Sequence, residues 1–88
     1  MLSQTVTVVN ALGLHARAAA RFVRMAGAFR SQIRVAHGQR ITDGKSILGL
    51  LLLAAARGTR IQISADGPDE DEALRALTEL ANSGFEDP

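Results

Sequence analysis

The sequence predicts an α+β fold in which three helices cover one face of a four-stranded sheet, as a two-layer sandwich. Segments that alternate apolar and polar residues, typical of half-buried strands, interleave with segments whose apolar residues recur every three or four positions, typical of amphipathic helices. The order that results is β-α-β-β-α-β-α. With 88 residues, the chain is long enough for one modest core, so residues 1–88 are expected to form a single domain.

The first part of the chain predicts a strand, a loop and a helix. Thr5–Val9 alternates as a half-buried strand does, and the loop Asn10–Leu14 that follows contains a glycine. Ala16–Phe29 is predicted to be helical because its apolar residues share one face. The other face of this helix is basic and carries Arg17, Arg21 and Arg24.

A hairpin and a short helix follow. Gln32–Thr42 is predicted to turn at its glycine, and His37, which precedes that glycine, is assigned to the turn. Ile47–Ala56 is predicted to be a helix that Ser46 caps and Gly58 ends, because serine and glycine favour those two positions. A strand is the competing assignment for residues 47–53.

The last part of the chain predicts a strand and an amphipathic helix. Ile61–Ala65 alternates as a strand does. Asp69 and Glu72 have the spacing of a capping box, so the final helix is expected to begin there. Gly84 is expected to end this helix, and Phe85–Pro88 is expected to fray.

Composition excludes several classes of site. The absence of cysteine rules out disulfides and thiolate metal sites, and two isolated histidines, His15 and His37, make a poor metal cluster. We therefore expect no metal and no cofactor. Met1–Thr5 lacks the features of a signal peptide, and the apolar run Ile47–Ala56 is too short to cross a bilayer. The cytoplasm is the expected compartment, without membrane insertion.

Charge is distributed unevenly along the chain. Residues 1–60 contain nine of the ten Arg and Lys residues and one acid, whereas residues 61–88 contain one arginine and eight acids. Two interpretations stay open: a basic docking face for an acidic partner or an anionic group, or solvated surfaces of opposite sign.

His15 is the candidate reactive residue. A histidine immediately before a helix can accept a phosphoryl group on a ring nitrogen, and the first-turn N–H groups, at Ala16 and Arg17, can bind the phosphate oxygens. A cation such as Arg17 opposes the helix dipole there but suits a phosphate. From local geometry alone, a loop histidine with a solvated arginine is the favoured interpretation.

Two motifs together carry a resemblance to a known family. Residues 13–17 read Gly-Leu-His-Ala-Arg, and residues 45–50 read Lys-Ser-Ile-Leu-Gly-Leu. With the element order, these motifs resemble HPr, the histidine-containing phosphocarrier of bacterial phosphotransferase systems. The resemblance implies an antiparallel strand order of 1-4-2-3, with phosphorylation of His15 at Nδ1 by Enzyme I, whose donor is phosphoenolpyruvate. His15 would then pass the group to an enzyme IIA-type protein.

The resemblance also implies regulatory and docking residues. In many members the serine that matches Ser46 is phosphorylated by a dedicated kinase, and the mark can be removed again by a phosphorylase. Partners bind the first helix and the start of the second, which implies a docking surface on a monomeric carrier. In this chain that surface would consist of Arg17, Arg21, Arg24, Ile47, Leu48 and Leu51.

One residue departs from the family pattern, since Ala18 stands where proline usually follows the arginine. Loss of that proline is expected to lower stability by about 0.4–1 kcal/mol and to leave transfer chemistry intact.

The sequence leaves three alternatives to compare with this interpretation. The apolar Leu50–Ala56 stretch slightly favours a nitrogen-type carrier, whose output is regulation, over a carrier that serves sugar uptake. A non-catalytic binding module regulated through Ser46 is the rival from another class, although such a module would not be expected to retain His15. An RNA-binding sheet is disfavoured because the chain has three Phe and no Tyr or Trp, and Phe22 and Phe29 are assigned to a helix.

Overall fold

The structure is a computed structural model that describes residues 1–86. Its elements follow the predicted order. The strands are β1 (Leu2–Thr7), β2 (Gln32–His37), β3 (Arg40–Asp43) and β4 (Arg60–Asp66), and the helices are α1 (Ala16–Ala26), α2 (Ile47–Leu52) and α3 (Glu70–Asn82).

The sheet is antiparallel with the order β1-β4-β2-β3, so the predicted fold class and strand order are confirmed. Every second side chain of the central strands is buried against the helices, while the intervening residues stay exposed on the open face. The buried strand residues are Val6, Ile33, Val35, Ile61, Ile63 and Ala65. Phe22 and Phe85 are buried in the core and Phe29 packs against it, so none of the three lies on the open face as a platform for bases.

The C-terminal ends of α1 and α2 differ from the positions that the local sequence signals predicted. The first helix ends at Ala26 rather than at Phe29, and tight turns follow it. The predicted extension of α2 to Ala56 is also wrong, because the helix ends at Leu52 and Ala54 adopts a left-handed φ of +52°. Gly58, the predicted stop, lies instead in the turn before β4. Helix rather than strand is confirmed for this segment.

Two further boundaries differ from the prediction. The first strand spans Leu2–Thr7 rather than Thr5–Val9, because its ladder with β4 ends at the Thr7–Arg60 pair. His37 belongs to β2 rather than to the turn, and Gly38 begins the turn. None of the helices within residues 1–86 has the length and apolar character that a membrane span requires.

Phe85, three residues after the end of α3, is anchored, contrary to the expectation of fraying. Gly84, with a φ of +71°, turns the chain so that the side chain of Phe85 is fully buried. The Phe85 N–H donates to Leu80 O at 2.8 Å, and Phe85 O accepts from Arg21 Nη1 at 2.8 Å. The fraying expected for Asp87 and Pro88 concerns positions outside the described residues.

Asp69 connects two distant segments instead of capping α3 as predicted. Its side chain makes no cap bond to α3, and its carboxylate accepts the N–H groups of Arg30 and Ser31, each at 2.9 Å, together with the Ser31 hydroxyl. The local bond at this helix start comes from Glu70 Oε1, which accepts from Gly67 N at 3.1 Å. Sequence spacing could not show this because the partners lie far away along the chain.

The Asp69 contacts predict an acid-sensitive stability. The hydrogen bond from the Ser31 hydroxyl, with those from the two backbone N–H groups, lowers the pKa of Asp69 from 3.8 to about 2. A carboxylate whose pKa is lower in the folded state stabilises that state above its unfolded pKa, so this contribution should be lost as pH falls from about 4 to about 2. Urea unfolding across that window should show a smaller pH dependence in Asp69→Asn than in the parent. Asp71→Asn, which removes an exposed carboxylate from the first turn of the same helix and none of these hydrogen bonds, is the matched control. Equal slopes in Asp69→Asn, Asp71→Asn and the parent would contradict the assignment.

Candidate functional site

His15 is the N-cap residue of α1, with extended backbone at φ −83° and ψ −178°. Its N–H donates to Gly13 O at 2.9 Å, and its carbonyl accepts from Ala19 N at 2.8 Å, which is the first bond of the helix. The side chain is partly exposed. Because the leading N–H groups of a helix have no carbonyl partner within it, they point toward the end at which His15 stands. His15 therefore stands at a helix terminus that favours anions.

The loop before His15 rests on the segment that follows α2. Leu14 N donates to Ala55 O at 2.9 Å, and the Leu14 side chain is buried. Gly13 has a φ of +67°, and a Cβ there would lie 2.5 Å from Ala55 O and 3.0 Å from Ala56 Cα. Glycine is thus required at position 13 for conformation and for space.

Asn10 is a site-supporting residue that sequence reasoning missed. It is buried, and its Nδ2 donates to Gly13 O, the same oxygen that accepts from His15 N. Its own carbonyl accepts from Gly13 N at 3.1 Å, which closes a turn. An asparagine three residues before a glycine is a turn signal, but the sequence did not show that its side chain would be turned inward.

Arg17 lies in the first turn of α1, and its residue is exposed. That turn contains no acidic residue. A phosphate carried by His15 would therefore meet positive partial charges from the backbone and a nearby guanidinium, without a carboxylate from this turn of the helix.

The other two arginines of the predicted basic face have different surroundings. Arg21 is half-buried, and its bond to Phe85 O ties α1 to the turn after α3. Arg24 is exposed in the last turn of α1, where a cation suits the helix dipole. The structure thus gives Arg21 a structural contact and leaves Arg24 on the surface.

Ser46 is the N-cap of α2, as predicted, and its Oγ accepts from Gly49 N at 3.0 Å. The residue is partly exposed. Gly49 packs so closely on β3 that a Cβ there would collide with the Thr42 hydroxyl, which fixes the start of α2 against the sheet.

The apolar run of α2 divides into core and surface members, a division that the sequence left open. Leu50 and Leu53 are buried. The three predicted docking residues are exposed, with Ile47 at 43%, Leu48 at 66% and Leu51 at 36% exposure. Sequence reasoning missed two further exposed leucines, Leu52 at 62% and Leu12 at 74%, the second of which lies in the loop before His15. For Leu12 the available signal was a leucine beside a turn glycine.

The candidate site consists of the N-terminal end of α1 and the loop before it, where His15 is partly exposed. A partly exposed histidine can accept a group from one protein and present it to another. Within residues 1–86, no three potential metal ligands come together.

Comparison with known proteins places this arrangement in a family. Residues 2–83 match the family model described as PTS HPr component phosphorylation site. A phosphocarrier protein HPr of Neisseria meningitidis is 49% identical over 85 residues, which are 97% of this chain and 96% of the relative. A phosphocarrier protein NPr of Escherichia coli is 36% identical over 87 residues, or 98% and 97% of the two chains. An HPr structure from Thermoanaerobacter tengcongensis superimposes with a TM-score of 0.95 at 41% identity and covers 100% of this chain and 99% of its own. The chain belongs to the HPr family of phosphotransferase-system phosphocarriers.

Proposed function

We propose that this protein accepts a phosphoryl group on Nδ1 of His15 from phosphorylated Enzyme I and transfers it to an enzyme IIA-type protein. The observation that carries the proposal is the placement of His15 as N-cap of α1, with its backbone held on both sides, directly before the first-turn N–H groups. The carrier would act as a monomer in the cytoplasm, without a metal or cofactor.

For this chemistry the chain mainly has to position the His15 ring and stabilise the phosphoryl group. A lone pair on the His15 ring attacks phosphorus as the bond to the donor breaks, and the reverse exchange occurs when the acceptor takes the group. Backbone dipoles and Arg17 stabilise the negative charge on the phosphoryl oxygens throughout. The carrier must bind the phosphoryl group only moderately, because tight binding would slow the second transfer.

The direct test is incubation of the protein with phosphoenolpyruvate and active Enzyme I, followed by intact mass measurement. We expect a mass increase of one phosphoryl group that acid treatment removes, because phosphohistidine is acid-labile. A folded protein that stays unmodified beside a positive control carrier would contradict the proposal.

The docking surface that we propose for both partners joins the basic face of α1 to the exposed residues of α2. It comprises Arg17, Arg21, Arg24, Ile47, Leu48 and Leu51, of which all but Arg21 are exposed residues. Apolar side chains would supply contact area, while arginines would steer an acidic partner to the site.

Charge reversal at Arg24 should slow phosphoryl exchange without unfolding the protein. Arg24→Glu removes an exposed cation of the docking surface, so the exchange rate with Enzyme I should fall by about three- to tenfold at low salt and approach the parent's at high salt. Arg34→Glu is the matched control, since Arg34 is exposed on the open face of the sheet. If both variants matched the parent at every ionic strength, Arg24 would be a solvated residue only.

Ser46 is proposed as a regulatory site that a dedicated kinase phosphorylates and a phosphorylase dephosphorylates. A phosphate would add about −1.5 to −2 charges at the N-terminus of α2, where the helix dipole tolerates it, but beside the exposed Ile47 and Leu48. The modification is therefore expected to weaken docking rather than folding.

Two substitutions separate the charge of Ser46 from its capping role. Ser46→Ala loses the bond to Gly49 N and should lower the unfolding free energy by about 1 kcal/mol with little effect on docking. Ser46→Asp keeps a cap and should weaken binding of Enzyme I and the IIA-type acceptor by about tenfold. Titration calorimetry and thermal unfolding give the two quantities. Parent-like docking of Ser46→Asp would contradict the regulatory role.

The second candidate function is a non-catalytic binding module regulated through Ser46. Such a module would show the Ser46 effects on binding but would take no phosphate from Enzyme I. The presence of His15 at an anchored helix terminus favours the carrier.

The branch of the family is a separate proposal. The apolar stretch Leu50–Ala56 slightly favours a nitrogen-type regulatory output over sugar uptake, while the HPr relative in the comparison is more identical to this chain than the NPr relative. Rates of phosphorylation by sugar-type and nitrogen-type Enzyme I, measured side by side, decide between the branches.

We expect Ala18 to leave phosphoryl transfer intact. The first bond within α1 is donated by Ala19 N, so the N–H that a proline would lack at position 18 does not contribute to the helix. The side chain of Ala18 is buried, away from the surface where the phosphoryl group would lie.

A further inference from the structure

The carbonyl end of α2 is held by two side chains of the β2–β3 hairpin. Nδ1 of His37 lies 2.8 Å from Leu53 O, and Nη1 of Arg40 donates to Leu52 O at 2.9 Å. His37 and Arg40 are directly opposite in the antiparallel ladder, so their side chains leave the sheet on the same face. A carbonyl oxygen can only accept, hence Nδ1 of His37 carries a proton. The last carbonyl groups of a helix have no partner within it, and this pair provides one for each of the two.

The same two carbonyl groups stand where the chain turns toward the His15 loop. Leu53 is followed by Ala54, whose left-handed φ of +52° is unfavourable for a residue with a Cβ. The next residue, Ala55, accepts the Leu14 N–H through its carbonyl at 2.9 Å. A backbone that holds an unfavourable conformation depends on contacts around it, and the bond from His37 lies immediately before that residue.

We propose that His37 is a positioning residue for phosphoryl transfer at His15, with Arg40 in support. The proposal rests on the carrier function proposed above. His37 fixes Leu53 O, and thereby the turn at Ala54 and the place of Ala55 O. Ala55 O holds Leu14, the residue directly before His15, so the hairpin sets where the histidine ring stands relative to the first turn of α1.

Displacement of His15 should affect the rate of phosphoryl transfer more than the affinity for the partner. A misplacement near 1 Å at a reacting group can cost about 100-fold in rate, whereas His37 bonds to Leu53 O, which lies after the proposed docking residues of α2. Loss of the His37 contact should therefore lower the rate at saturation and leave the half-saturating concentration nearly unchanged.

Three variants test the role of His37. His37→Leu keeps bulk and removes the donor. His37→Asn places an amide nitrogen near the position of Nδ1 and should restore the bond to Leu53 O. Gln39→Ala changes an exposed residue in the turn of the same hairpin and serves as the matched control.

The first readout is transfer, measured as kcat and KM for Enzyme I with this protein as the phosphoryl acceptor. In His37→Leu, kcat should fall by about three- to tenfold with KM within about twofold of the parent, which is the size of coupling expected through a packed network. His37→Asn should recover most of the loss, and Gln39→Ala should match the parent. A purely structural role would lower thermal stability without this split between kcat and KM.

The second readout is hydrogen exchange of the Leu14 amide, followed by NMR in the unphosphorylated protein. We expect faster exchange in His37→Leu than in the parent, with recovery in His37→Asn.

Parent-like kcat or parent-like Leu14 exchange in a folded His37→Leu would overturn the proposal. If His37→Leu fails to fold, Arg40→Met is measured in the same way. We expect smaller effects in the same direction, and parent-like values in Arg40→Met would overturn the proposal. A parent that takes no phosphate would refute the carrier function, while Leu14 exchange still tests the positioning.

Discussion

Replacing His15 with alanine is expected to abolish phosphoryl transfer completely while leaving the fold intact. The imidazole is the only group in the anchored Gly13–Ala19 segment that can form a bond to phosphorus through a ring nitrogen. Alanine lacks that nucleophile, so the loss should be total rather than a reduction in rate. His15 is partly exposed, so its replacement by alanine leaves no cavity in the core and the protein should stay folded.

The measurement compares parent and His15→Ala by intact mass after incubation with phosphoenolpyruvate and Enzyme I. Two control variants make the result specific. His37→Asn should still reach full phosphorylation after long incubation, which assigns the modification to His15 and not to the other histidine. Ser46→Ala should also be fully modified, which separates this phosphate from a mark on serine. Acid-labile phosphate that persisted on His15→Ala would place the acceptor elsewhere.

Replacing Gly13 with alanine is expected to impair both stability and transfer. The left-handed φ of +67° costs an alanine about 1–2 kcal/mol, and the crowding of its Cβ against Ala55 O should add about 1–3 kcal/mol. To relieve the crowding, the loop must move away from the segment after α2. Since Leu14 and His15 follow directly, the phosphoryl acceptor would move with it.

Gly38 provides the matched control for this substitution. It has a similar φ of +62°, but nothing lies within 4 Å of the position that a Cβ would occupy. Gly38→Ala should therefore show only the conformational cost, of about 1–2 kcal/mol, and a normal rate of transfer. Urea unfolding measures the difference in stability, and phosphoryl exchange with Enzyme I measures the effect on the site. If the two variants lost equal stability and exchanged phosphoryl groups at equal rates, the contact between the His15 loop and Ala55 would not contribute to transfer.

Local sequence signals were sufficient for the element order and for part of the site. Alternation in β2 and β4 placed Ile33, Val35, Ile61 and Ile63 inside, because a strand exposes and buries successive residues in turn. The place of Ser46 as a cap also followed from its sequence context, because the bond to Gly49 N spans only three residues. Local signals were weakest at helix ends, where α1 and α2 stop earlier than their apolar patterns do.

The contacts that hold the candidate site in place could not be predicted in the same way. Leu14 is bonded to Ala55, Arg21 to Phe85 and His37 to Leu53, and each pair joins segments that are far apart along the chain. Asp69 illustrates the consequence, because its spacing to Glu72 indicated a local cap and its carboxylate instead binds Arg30 and Ser31. A local sequence pattern contains no information about a distant group that competes for the same side chain.

The sequence by itself therefore determined the periodic elements, the histidine at the start of a helix and the serine that caps the next one, since these depend on neighbours within about one helical turn. Only the tertiary structure decided which leucines of α2 are exposed, which arginine is engaged with the turn after α3, and what supports the His15 loop. The physical reason is that burial and long-range hydrogen bonds exist only once the sheet and its helices have packed together.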